Sequence, residues 1–299
     1  MDIDGTYRYD MVSKIGVYML IGAHVSASGG INRAIANGEA IGADCIQIFI
    51  GSPRTWRFVE LSEETIHKYK DALENSISVR DAVVHASYLI NLGSSDRDLF
   101  ARSKSLLMQT VTTACAIEAN AVILHVGSHK GEGMDQVHHQ IRDVFEEIQD
   151  RLGQSVRTRL LIENTAGAGG TIGGSLPEIH MLLTLVENRD RIGFCLDTQH
   201  LFAFGYDFRD EEVRDRVFQE LSDCVGKIDC VHLNDSKTAP GGMHDRHENL
   251  GDGEIGLDAL RGLLKHPMFS ESLIVLEVPG DGAGPRSQDV ELAKRILGD

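Results

Sequence analysis

The sequence predicts an α/β protein built as a single (β/α)8 barrel of the TIM type. Three observations carry that reading. Eight short runs rich in Val, Ile and Leu are too short to be helices. Eight longer stretches of helical periodicity alternate with them. The 299 residues contain no internal repeat, low-complexity tract or long Pro/Ser/Gly linker, which favours one domain. A doubly wound open sheet is the weaker alternative, because the first turn offers no GxGxxG and a count of eight favours closure.

In chain order, the first strand is expected over residues 20–24, followed by a helix over 31–41. The second pair falls at 45–50 and 62–74, the third at 82–85 and 96–119, the fourth at 122–126 and 135–152. The fifth lies at 160–164 and 175–187, the sixth at 192–197 and 211–224. The seventh is expected at 230–234 and 257–265, the eighth at 273–278 and 287–297. Residues 1–18 precede the first strand and have no counterpart in this repeat, so they are read as a poorly ordered extension, with 19–299 as the barrel.

Composition narrows the function classes. No run of about 18 consecutive apolar residues exists to span a membrane. Asp2, Asp4 and Asp10 interrupt any secretory-signal pattern, so a cytoplasmic address is expected. Cys45, Cys115, Cys195, Cys224 and Cys230 are odd in number and form no CxxC pair, and so read as buried thiols. Twenty-nine basic against 45 acidic side chains give a net charge of −16, which should repel nucleic acid unless positive charge is concentrated locally.

Active sites of such barrels are built from the carboxyl ends of the strands. Here strands three to eight end in His85, His125, Glu163, Asp197, His232 and Glu277. Six titratable groups converging without compensation would each cost several kcal/mol to bury. No Lys or Arg ends these strands, so a bound metal is the simplest compensation, and His with Asp/Glu suits Zn²⁺, Mn²⁺ or Fe. Three more candidates lie in loops: His200, three residues past Asp197, and Asp245 with His247, which share one side of an extended segment. Nine ligands are too many for one four-coordinate ion and enough for three, if one carboxylate bridges two.

These residues sit in stretches that together resemble the endonuclease IV family of apurinic/apyrimidinic endonucleases, zinc-dependent TIM-barrel DNA repair enzymes. The stretches include Ile21-Gly22-Ala23-His24, His85-Ala86-Ser87-Tyr88, His125-Val126-Gly127, Ile162-Glu163-Asn164-Thr165, Leu196-Asp197-Thr198-Gln199-His200, His232-Leu233-Asn234-Asp235, Asp245-Arg246-His247 and Leu276-Glu277, in the family's order. The resemblance implies three zinc ions: one on His85, His125 and Glu163; a second on Glu163, Asp197, His232 and Glu277; a third on His200, Asp245 and His247. It implies hydrolysis of duplex DNA on the 5′ side of an abasic site, leaving a 3′-hydroxyl, with Glu163 bridging two ions that share a hydroxide nucleophile.

Arg54 and Trp56, in Ser52-Pro53-Arg54-Thr55-Trp56, resemble the family's DNA-contacting loop, Tyr88 and Leu89 its minor-groove contacts, and Arg246 adds a basic rim residue. Ile50-Gly51-Ser52 stands where the family usually reads Thr-Lys-Asn, Gln199 where Cys is common, and Val126 where Pro is common. A monomer is expected. Two rivals are a sugar isomerase or epimerase on the same barrel with one or two divalent metals, and a non-catalytic lesion-binding protein with structural zinc. The ion count separates the first; the second would need closed four-ligand sites.

Overall fold

The computed structural model describes residues 19–153 and 155–298; the extension expected over 1–18 lies outside them. Eight parallel strands close into a barrel, so the open-sheet alternative does not hold. They are β1 (Ile21–His24), β2 (Cys45–Ile48), β3 (Asp81–His85), β4 (Ala121–Leu124), β5 (Arg159–Glu163), β6 (Ile192–Asp197), β7 (Cys230–His232) and β10 (Leu273–Leu276). Each pairs with its sequence neighbour around the ring, and β1 closes it against β10 through Ile21 with Ile274 and Ala23 with Leu276. Two residue pairs of antiparallel ladder, β8 (Asp235–Ser236) and β9 (His247–Glu248), lie in the loop after β7.

Helices α1 (Ile31–Ala40), α2 (Glu63–Glu74), α3 (Arg97–Ala116), α4 (Met134–Leu152), α5 (Leu176–Leu183), α7 (Glu211–Cys224), α8 (Leu257–Leu264) and α9 (Ser287–Gly298) follow the eight strands. A further helix, α6 (Thr198–Phe204), continues directly from β6 and is absent from the sequence expectation. Periodicity explains the others: in α4 the buried residues Val137, Ile141, Val144, Phe145, Ile148 and Leu152 recur every three or four positions, forming one stripe against the sheet. Side-chain oxygens of Ser62, Asp96, Ser175 and Asp210 accept from the first free amides of α2, α3, α5 and α7. Every residue of α6 from Thr198 to Ala203 is buried, which leaves no polar face and hence no amphipathic signal.

Strand side chains alternate between the helix layer and the barrel interior. The interior holds a small apolar cluster that includes Cys45, Val83, Ile123, Leu161, Cys195, Cys230 and Val275. The cysteines of this layer are free thiols, as expected. Two residues further along each strand, on the same face, come Gln47, His85, His125, Glu163, Asp197, His232 and Glu277, with His24 from β1. The period of two therefore sets a polar ring directly on an apolar floor, at the carboxyl end. At the opposite end Arg157 pairs with Asp81 at 2.5 Å and Arg159 with Asp229, closing the base.

Candidate active site

Glu163 stands at the centre of the ring with 1% exposure. Its Oε2 lies 3.1 Å from His85 Nε2 and 3.2 Å from His125 Nε2, while its Oε1 lies 2.9 Å from His232 Nδ1. His232 Nδ1 is also 3.4 Å from Glu277 Oε2. One carboxylate thus faces two groups of donors with its two oxygens. Donor atoms of His85, His125 and Glu163 fall within 4.8 Å of one another, as do those of Glu163, Asp197, His232 and Glu277. A third such group joins Asp197, His200 and His247, with Asp245 Oδ1 at 3.3 Å from His200 Nε2 and 3.4 Å from His247 Nε2. All nine sequence-derived donors meet at one mouth, with Asp197 contributing to two groups.

Several imidazoles have their outer nitrogen committed, which fixes the inner one toward the cluster. His85 Nδ1 meets Ala86 O at 2.7 Å and His200 Nδ1 meets Asn164 O at 3.0 Å. His232 Nε2 meets Gln47 Oε1 at 2.7 Å, leaving Nδ1 inward. The local fold supplies these partners. Asp197 ends β6 and at once caps α6 by accepting from His200 N at 2.7 Å, so a single turn carries both side chains into the site.

Asn234 donates to Asp197 Oδ2 at 2.8 Å and accepts from Glu277 N at 3.0 Å, holding two carboxylate segments in register. Asp235 accepts from the amides of Gly251, Ile255 and Gly256 and so orders the loop beyond, outside the donor set.

Charge balance shows what this arrangement needs. Burial opposes ionisation of Glu163, but His125 and His232 override it and hold the carboxyl well below its ordinary range. Glu277, also buried, is held down to about 2 chiefly by His232, and Asp245 is pulled down by His200 against the cost of desolvation. Burial disfavours charge on His200 and His232, yet Asp197 at the first and Glu163 at the second raise both well above the usual imidazole value. Burial lowers His125 and His24 to about 4. Without a cation, protons on His200 and His232 carry the compensation.

Two buried nitrogens, His125 Nδ1 and His247 Nε2, have no hydrogen-bond partner. His247 Nε2 sits 3.5 Å from Asp197 Oδ2 and 3.4 Å from Asp245 Oδ1, between two carboxylates. Divalent cations fit this donor set: they neutralise the carboxylates and give His247 Nε2 the partner it lacks.

Sequence reasoning missed Gln47. It is fully buried on β2, donating from Nε2 to Glu277 Oε1 at 2.6 Å, lying 3.0 Å from His24 Nδ1, and accepting from His232. The signal was present: Gln47 stands two residues after inward-facing Cys45, in the register of the other strand ends. His24 borders Gln47 and packs at a tilt against Phe49, with ring centroids 4.7 Å apart.

Around the mouth, Arg54 and Arg246 are exposed and Tyr88 is 59% exposed, with Leu89 half-buried. Tyr88 packs edge-on against Phe49 at 5.2 Å, and Ser87 donates to Pro53 O at 2.8 Å, tying the Arg54 loop to the loop after β3. Trp56 is half-buried under the Arg102 guanidinium, 4.6 Å from its ring centre, and packs on the core at the base of that loop. A cavity of about 790 Å3 opens beside Glu277 and His247, walled by residues 24–28, 49–53, Tyr88 and the glycine-rich 278–285 loop. No helix among the described residues is long and apolar enough to cross a membrane.

The fold and this donor set define a TIM-barrel enzyme of the xylose isomerase-like class, and residues 35–297 match the family model described as xylose isomerase-like TIM barrel. The probable endonuclease 4 of Halothermothrix orenii is 34% identical over 284 residues, covering 94% of this chain and 100% of the relative. That of Sulfurihydrogenibium sp. is 35% identical over 279 residues, covering 93% and 99%. Endonuclease IV from Thermus thermophilus superposes with a TM-score of 0.77 at 30% identity, over 92% of this chain and 96% of that one. The chain belongs to the endonuclease IV family, DNA-repair nucleases that hydrolyse the phosphodiester backbone. A D-tagatose 3-epimerase-like protein matches over 94% of this chain and 97% of its own with a TM-score of 0.72 at 16% identity, which shows the shared fold alone.

Proposed function

We propose that this chain cuts duplex DNA on the 5′ side of abasic sites, leaving a 3′-hydroxyl, and that its nine donors hold three zinc ions in the sets the sequence suggests. The observation that carries this reading is the placement of Glu163, whose two oxygens face separate donor groups. Bound zinc supplies Lewis acidity and positive charge against a phosphate.

The chain's own residues do the rest. Glu163, ringed by imidazoles, stays ionised and fixed in place. Gln47 holds Glu277 and His232 in mutual orientation, and Asn234 does the same for Asp197. Arg54 and Arg246 put cationic charge at the rim, where it outweighs the distant acidic surplus on the outer helices and attracts the backbone. The cavity beside Glu277 has room for a nucleotide turned out of the duplex. A residue without a base forfeits least stacking and pairing on leaving the helix, which gives the lesion its preference. Arg54, Trp56, Tyr88, Leu89 and Arg246 form the DNA-facing rim, with Trp56 acting by anchoring the loop of Arg54.

The test is incision of a duplex carrying one synthetic abasic site, by zinc-loaded protein with and without a chelator. Cleavage that the chelator abolishes, and that Glu163→Ala lacks, is expected; failure of the zinc-loaded chain to cut overturns the reading. Counting bound metal separates it from an isomerase, since about three zinc per chain supports the nuclease and one or two divalent ions the isomerase. Sedimentation checks the monomer.

A further inference from the structure

The reading above gives no role to Gln199, the second residue of α6. It is fully buried, and its amide is spent on one partner segment. Nε2 donates to His244 O at 2.9 Å and to Ser236 Oγ at 3.2 Å, and Oε1 accepts from Arg246 N at 3.3 Å. That segment joins β8 to β9 and is exposed from Gly241 to Arg246, so little packing of its own fixes it. Its other ties to α6 are Met243 N to Ala203 O at 2.9 Å and Gly241 N to Phe202 O at 3.3 Å; the rest are within the segment itself, among them Lys237 N to Arg246 O at 2.9 Å and the Ser236 Oγ turn with Thr238. Yet it carries Asp245 and His247, which close the third donor group against His200, the neighbour of Gln199.

We infer that Gln199 is a positioning residue that straps the 236–246 segment to α6 and so sets the affinity of the third donor group for its ion. One seven-residue helix then presents His200 directly and delivers Asp245 and His247 through the adjacent side chain. Three contacts at this spacing need a long side chain with both a donor and an acceptor. A thiol, common here in the family, is too short and too weak a donor to make them. The inference rests on the three-ion reading above, and the experiment tests the two separately.

Metal-free full-length protein and its Gln199→Met variant, which keeps the volume and removes every amide contact, are titrated with zinc against a competing chelator. In parallel, amide hydrogen exchange is measured without metal. Gln199→Met should weaken one of three ions by about 10–100-fold, the range for loss of a supporting contact, and leave the other two unchanged. The amides of Arg246 and Met243 should exchange faster. Ser236→Ala, which removes one Gln199 contact together with the turn that Ser236 Oγ makes with Thr238 N and O, should weaken the same ion and leave the other two unchanged. An unchanged third ion, equal weakening of all three, or unchanged exchange at Arg246 overturns the inference. Wild-type protein that binds fewer than three ions would instead sink the metal reading, while exchange at Arg246 still decides the strap.

Discussion

Gln47→Leu is the most direct probe of how the barrel organises its donors. The substitution replaces the amide with a somewhat shorter apolar side chain and removes three contacts: the 2.6 Å bond to Glu277 Oε1, the 2.7 Å bond from His232 Nε2, and the 3.0 Å contact with His24 Nδ1. Two of them involve groups that hold or balance charge in the bare site. Hydrogen bonds to charged groups contribute about 1.5–3 kcal/mol each, but the lost partners here can in part be recouped by the ion itself. The net expectation is the range measured for contacts that orient metal ligands, about 10–100-fold in affinity, or roughly 1.4–2.7 kcal/mol. It should fall on the ion that His232 and Glu277 share.

Chelator-competition titration of the metal-free protein reads this directly, with incision at saturating zinc as a second measurement. Activity should return when zinc is raised, because every ligand is still present. Wild-type zinc affinity in Gln47→Leu would refute the reasoning that the amide orients these two ligands.

Proton release gives an independent check. His200 and His232, raised well above the usual imidazole value, are protonated at pH 7 in the metal-free site, and binding requires their neutral nitrogens. Zinc loading should therefore release protons and weaken as pH falls; calorimetry in buffers of different ionisation enthalpy measures the number, and a value near zero would contradict the assignment. On the family resemblance that places Arg54 in the gap left by the missing base, Arg54→Ala should leave bound zinc unchanged and lower discrimination between abasic and intact duplex by about 10-fold, the scale of one charge-assisted contact; competition incision assays read it. Leu161→Ala, in the apolar floor two residues before Glu163, should cost about 2–5 kcal/mol in urea unfolding of the metal-free protein, since the barrel interior has little freedom to collapse onto the space.

Much of the fold was legible because its elements are regular. The eight expected strands coincide with the observed ones to within a few residues, and the longest helices, α3 and α4, follow their apolar stripes. Elements without such a signal went unread. The α6 helix is short, buried all round, and capped by a residue that also ends a strand, so no period marks it. The β8 and β9 strands are two residues each, too short for alternation to register. Among site residues, six donors announced themselves by type, being ionisable groups at apolar strand ends, and His200, Asp245 and His247 by their spacing in the adjoining loops. Gln47 and Gln199 did not, because a neutral amide in a buried run reads as an ordinary polar exception until its partners are known.

The sequence by itself determined which ionisable side chains gather at one end of a barrel, since strand period and element order are local properties of the chain. Only the tertiary structure decided the finer grouping: that Asp197 belongs to two sets, and that Gln47 and Gln199 bind segments 230 and 47 residues apart. Those relations depend on the curvature and closure of the sheet. Distances across a barrel mouth are set by the packing of all eight strands together, and no local pattern encodes them.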